Sequence, residues 1–149
     1  MDDSLTTLDT LSLDFSGEMI GPEDARFDGA RGVWNAMIDR RPALIAQCRT
    51  AGDVQTAVKL AVARDLPIAI RGGGHNVAGH AVCDGAVMID LSLMRGVTVD
   101  APARLARVQG GALWRDVDTA TQEHGLATPG GLISDTGVAG LTLSGGIGW

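Results

Sequence analysis

The densest chemistry in the chain is Arg71-Gly72-Gly73-Gly74-His75-Asn76-Val77-Ala78-Gly79-His80. A guanidinium, a run of bare peptide units, two imidazoles and a carboxamide suit an anion on one side and a reactive or ligating nitrogen on the other. Glycine inside a helix or strand costs about 1 kcal/mol relative to alanine. Three in a row therefore imply a loop whose backbone must come close to something. Consecutive unprotected amides can form a concave nest of N–H donors, a shape that suits a pyrophosphate.

Two common phosphate loops fail on residue identity. A P-loop needs two glycines five apart followed by Lys and then Ser or Thr. Gly74 and Gly79 have that spacing, but His80 and Ala81 follow. The Rossmann fingerprint needs G-x-G-x-x-G opening a helix; Gly72 and Gly74 match, the third position is Val77, and an apolar run resumes at 86–91. A metal site on His75 and His80 has only Asp84 close in sequence, short of the ligands a zinc site uses, so no metal is expected.

The elements around the loop follow from periodicity. Residues 43–48 read as a strand, and Thr50 or Asp53 can cap the helix after it. Val54, Ala57, Val58 and Ala61 recur at helical spacing and predict the buried stripe. Asp65-Leu66-Pro67 stops that helix, and 67–70 is a short strand ending at the glycines. Strand, helix and strand in this order predict a parallel pair with a right-handed crossover. The glycine loop then leaves a strand's carboxyl end, where ligands of α/β sheets bind. A further strand is expected over 86–91, and a hairpin over 96–100 and 104–109, turning at Ala101-Pro102-Ala103. Leu113, Val117, Ala120 and Thr121 mark a second helix, with Asp116, Asp118 and Glu123 toward water and Gly125 at its end.

A second glycine-rich stretch closes the chain: Thr128-Pro-Gly-Gly-Leu-Ile-Ser-Asp-Thr-Gly-Val-Ala-Gly-Leu-Thr-Leu-Ser-Gly-Gly-Ile-Gly148. Taken together, the two stretches resemble the FAD-binding domain of the vanillyl-alcohol oxidase and p-cresol methylhydroxylase (PCMH) superfamily, in its berberine bridge enzyme-like branch. The resemblance rests on R-G-G-G-H-N-x-x-G, on the strand ending Ile89-Asp90-Leu91-Ser92, and on T-G-V-A-G…G-G-I-G. It implies an α+β fold: a small parallel βαβ subdomain, then a mixed or antiparallel sheet with flanking helices. It also implies an N-terminal lead over 1–41 and the FAD-binding domain over 42–149, with an R-x-x-x-N element in the lead for which Arg31, Trp34 and Asn35 are the counterpart.

By that resemblance the cofactor is FAD, carried covalently by His75 through the flavin 8α-methyl carbon. Arg71, Gly72, Gly73, Gly74, Asn76, Val77, Gly79 and His80 would contact it from the first loop. Thr136, Gly137, Val138, Gly140, Leu141, Gly145, Gly146 and Gly148 would do so from the second. Arg71 would neutralise the diphosphate. The implied reaction passes a hydride from a substrate C–H to flavin N5, with O2 as reoxidant and a small-molecule substrate. Some members bond the flavin a second time through a cysteine; the matching position here is Ser134, followed by Asp135, so a single link is expected. Members normally continue into a substrate domain and carry a tyrosine near the flavin, whereas this chain stops at Trp149 and has no tyrosine. It is therefore expected to be an incomplete FAD-binding domain. A flavin- or nucleotide-binding module without turnover is the alternative.

Composition agrees with a folded domain. The chain has 149 residues, 45% hydrophobic and 20% charged. Its 21 glycines are about twice the usual share and cluster in the motifs. A formal net charge of −6 argues against nucleic acid or an anionic membrane as partner. The acidic start predicts no secretory leader, and no run is apolar enough to span a bilayer. Cys48 and Cys83 without a C-x-x-C predict a cytoplasmic chain with free thiols, though spacing leaves a disulfide open.

Overall fold

Every residue of the strand Val87–Asp90 is buried, the signature of a central strand covered on both faces. The computed structural model describes residues 15–148; the first fourteen residues of the expected 1–41 lead lie outside them. One sheet runs in the order β1 (Glu18–Ile20), β2 (Leu44–Gln47), β4 (Val87–Asp90), β3 (Ile68–Arg71). β2 and β3 both lie parallel to β4, and β1 lies antiparallel to β2. The βαβ unit is thus parallel as expected, but its strands are not neighbours, because β4 comes between them. Burial explains the order. Val87, Met88 and Ile89 are apolar on both faces and take the centre, while Ile68 and Ile70 are 40% and 60% exposed and sit at the edge.

Alternation along the strands divides the core in two. Val87, Ile89 and Ala46 face Ala57 and Ala61 of the helix α2 (Ala51–Ala63). Met88 and Ile45 face the other way, onto Ile20, Val82 and Phe27 of the short helix α1 (Phe27–Ala30). β1 and α1 fall within 1–41, so this segment supplies an edge strand and core side chains.

Both candidate caps of α2 are used. Thr50 Oγ1 accepts from Asp53 N at 3.1 Å, and Asp53 Oδ2 accepts from Thr50 N at 2.9 Å, a reciprocal capping box. Ser16 adds donors to the same carboxylate. Burial pushes the Asp53 pKa up, but the N–H groups of Arg49, Ser16 and Thr50 outweigh it and hold the group at about 2. The stripe of α2 is rotated from the one periodicity predicts. Val58 is 37% exposed, and Leu60, outside the predicted set, is buried. The buried residues of the helix are Asp53, Ala57, Leu60 and Ala61, and the half-buried Val54 also packs on the core beside Ala57 and Ala61.

Since β3 and β4 are parallel, the chain must travel back along the sheet between them. Residues 72–86 make that return without a helix, and they contain the first glycine stretch. Beyond β4, β5 (Val97–Asp100) and β6 (Leu105–Val108) form the expected antiparallel hairpin. Two helices follow, α3 (Trp114–Gln122) and α4 (Val138–Ser144). α3 buries Trp114, Val117 and Thr121. Past its last residue the chain turns away at Gly125, φ 64°, with Gly125 N donating to Gln122 O and Leu126 N to Thr121 O. Asp116 does not face water as expected: it accepts from Leu113 N and pairs with Arg95, and that guanidinium holds its pKa down.

Candidate cofactor site

The two glycine stretches, more than sixty positions apart, meet backbone to backbone. A Cβ on Gly73 would stand 2.6 Å from Gly137 Cα, and one on Gly137 would stand 2.5 Å from Gly73 N. Only bare peptide units pass at this distance. Gly74 follows at φ 72°, turning the loop away from the contact. On the Gly137 side the chain is anchored by a bridge to Leu113, by Trp114 N to Thr136 O at 3.1 Å, and by Val138 N to Ala112 O at 3.0 Å.

A hollow of about 630 Å³ opens between the two loops, within the range of small-molecule and cofactor sites. Gly72, Gly73, Gly74, His75, Asn76, Val77 and His80 line it from the first loop. Thr136, Gly137, Gly140, Leu141 and Gly145 line it from the second. Ile70, Ala81, Leu91, Gly110 and Leu143 complete an apolar wall; none is among the expected contacts, because plain apolar residues carry no motif signal. Among the described residues, no hydrogen bond is donated by the backbone N–H of Gly72, Gly73, Gly74, His75 or Asn76. Consecutive amides without a protein partner are the kind of donor set that suits an anion.

Five expected contacts do not border this hollow. Arg71 is engaged elsewhere: Nε and Nη2 bond Asp90 at 3.0 and 2.7 Å, and Nη1 bonds Gly32 O at 2.8 Å. The guanidinium expected to neutralise a diphosphate instead neutralises a fully buried carboxylate. Asp90 also accepts from Gln47 Nε2, Ser92 N and Ser92 Oγ. Burial raises its pKa, but Arg71 and these donors lower it further than burial lifts it. Gly79 packs on Ile38, and Gly146 on Leu141. Gly148 passes against Gly130 in a strand-like bridge to Gly131. Val138 opens α4, half-buried and outside the lining. Gly130 and Gly131 accommodate the Trp114 ring.

His75 stands at the rim with its side chain 22% exposed. Its imidazole stacks on Trp34, centroids 5.5 Å apart and planes at 23°. Nε2 lies 3.9 Å from Asp135 Oδ1, beyond hydrogen-bond reach. Asn76 Oδ1 accepts from His80 N at 3.1 Å and folds the loop on itself. Of the R-x-x-x-N element, Trp34 and Asn35 reach the loop, while Arg31 pairs with Asp28 and Asp39. Among the described residues, no group of three or more His, Cys, Asp or Glu could hold a metal. Both cysteines are free, and burial pushes the Cys48 thiol up to about 12.

Residues 42–149 match the family model described as an FAD binding domain. The chain belongs to this FAD-binding domain family. Its cofactor is FAD. Over 137 residues this FAD-binding domain is 39% identical to (R)-6-hydroxynicotine oxidase of Paenarthrobacter nicotinovorans, covering 92% of the chain and 30% of that protein. The crystal structure of 6-hydroxy-D-nicotine oxidase from Arthrobacter nicotinovorans superposes with a TM-score of 0.83 at 38% identity, over 87% of this chain and 28% of that one. BBE-like 1 of Physcomitrella patens does so with a TM-score of 0.86 at 25% identity, over 96% and 31%. The chain thus spans about a third of the length of the relatives it matches. The PCMH-type architecture expected from the motifs is the one the chain adopts. The residues fit FAD on structural grounds as well: a hollow walled by both glycine stretches, with an imidazole among its lining residues.

Proposed function

We propose that this chain is the cofactor-holding part of an FAD-dependent oxidase, with the flavin bonded covalently to His75. The observation that carries the reading is the Gly73–Gly137 backbone contact, which joins the two loops into one hollow with His75 at its edge. Amides of the Gly72–Asn76 loop that line the hollow would hold the diphosphate, with Gly137, Gly140 and Leu141 against the cofactor's other side. His75 would fix the ring system and prevent its loss. Ser134 cannot supply a thioether, so one link is proposed. When bound, FAD supplies the redox step, accepting a hydride at N5 and passing the electrons to O2, which becomes hydrogen peroxide. The substrate class proposed is a small molecule whose reacting C–H sits on a carbon bearing an amine or hydroxyl, in keeping with a 39%-identical relative named for (R)-6-hydroxynicotine. The free thiols favour a reducing compartment, the cytoplasm.

The test is acid precipitation of the protein loaded with FAD. Yellow colour is expected to stay with the pellet in the wild type and to leave it in His75→Ala. Complete release from the wild type would remove the covalent link and leave a reversible flavin-binding domain.

A further inference from the structure

We propose that Trp34 is a positioning residue for His75, and that residues 32–41 form the outer wall of the cofactor loop. The proposal rests on the covalent reading above. The segment precedes the matched family region, yet its polar groups meet the loop's carbonyls in succession. Trp34 N donates to Gly74 O at 3.1 Å, and Asn35 Nδ2 to Val77 O at 2.8 Å. Arg40 Nη1 donates to Gly79 O at 3.0 Å and Val82 O at 3.1 Å. In return, Arg71 Nη1 binds Gly32 O from the loop side. The chain under His75 is thereby fixed at several points.

The indole then acts on the imidazole itself. Trp34 is 63% exposed, so filling the core does not explain its position. What it does is stack, offset and tilted by 23°, against the His75 ring. The lone pair of an imidazole nitrogen lies in the ring plane. A partner on the ring face therefore restricts rotation of the side chain while leaving both nitrogens open at the edge. Attachment exchanges one 8α C–H bond for a C–N bond. The imidazole N–H and the methyl C–H each give up a hydrogen, and the two electrons pass by way of the flavin to O2, which becomes hydrogen peroxide. Its rate depends on how often the nitrogen is aimed at that carbon, and small misplacements are expensive.

The test compares wild type with Trp34→Phe and Trp34→Leu. Phenylalanine keeps a flat face, whereas leucine keeps apolar bulk without one. FAD is added, and flavin is counted separately in the acid pellet and the acid supernatant over time, beside the thermal midpoint of each protein. Trp34→Leu is expected to attach flavin on the order of tenfold more slowly, with total bound FAD and midpoint unchanged, and Trp34→Phe to restore the wild-type rate. Equal rates in all three proteins overturn the proposal, as does an equal loss in Phe and Leu or a loss that tracks the midpoint. A wild type with no acid-stable flavin removes the covalent reading itself, and this proposal with it.

Discussion

Gly73 and Gly137 occlude each other: neither could carry a Cβ without meeting the other's backbone, at 2.6 Å in one direction and 2.5 Å in the other. Because both partners are main chain, no rotamer change relieves the clash. Gly73→Ala is expected to cost roughly 1–3 kcal/mol, the range of overpacked sites, and to weaken FAD binding by parting the loops. A urea midpoint and a flavin titration measure the two effects. If both match wild type, the loops do not touch in solution.

The buried pair Arg71–Asp90 clips the carboxyl ends of β3 and β4, where the two residues stand opposite each other in register. Asp90→Ala would leave a guanidinium that is only 13% exposed without its counter-charge. Removing one partner of a buried pair costs about 3–5 kcal/mol, enough to unfold a marginal domain. Arg71→Lys should recover only part of the stability, since an ammonium cannot reproduce the two-pronged contact. Chemical denaturation of both variants decides this, and near-wild-type stability for Asp90→Ala would refute it.

Acid should destabilise the chain in a defined window. Asp53, at about 2, and Asp90, also lowered, have folded-state values below the ordinary 3.8. A carboxyl with a depressed folded value contributes stability that is complete above its unfolded value and is lost as pH falls through the folded one. The thermal midpoint should therefore stay level, as far as these groups decide it, down to about pH 4 and then drop toward pH 2. Asp53→Asn should lower the plateau and flatten the drop. An unaltered slope in that variant would mean that Asp53 has no part in it.

Leu60 and Val58 test the rotation of α2. Leu60→Ala should cost about 2–5 kcal/mol, as buried leucines do. Val58→Ala, at an exposed position, should stay within about 0.5 kcal/mol. Equal losses at the two sites would put the stripe back where simple periodicity draws it.

Much of this protein was written locally. The strands, the capped helix α2, the hairpin and the Gly125 stop depend on neighbours a few residues away, so pattern and turn chemistry declare them. The glycines announced close backbone approach for the same reason, since no local element tolerates such a run. Tertiary structure decided the rest. It placed β4 between β2 and β3, because a strand apolar on both faces gains most at the centre. It also turned Arg71 onto Asp90 and not toward an anion, because a carboxylate buried at the sheet's centre must be paired. Finally, it brought Gly73 to Gly137 and Trp34 to His75, contacts between distant segments that no local pattern records.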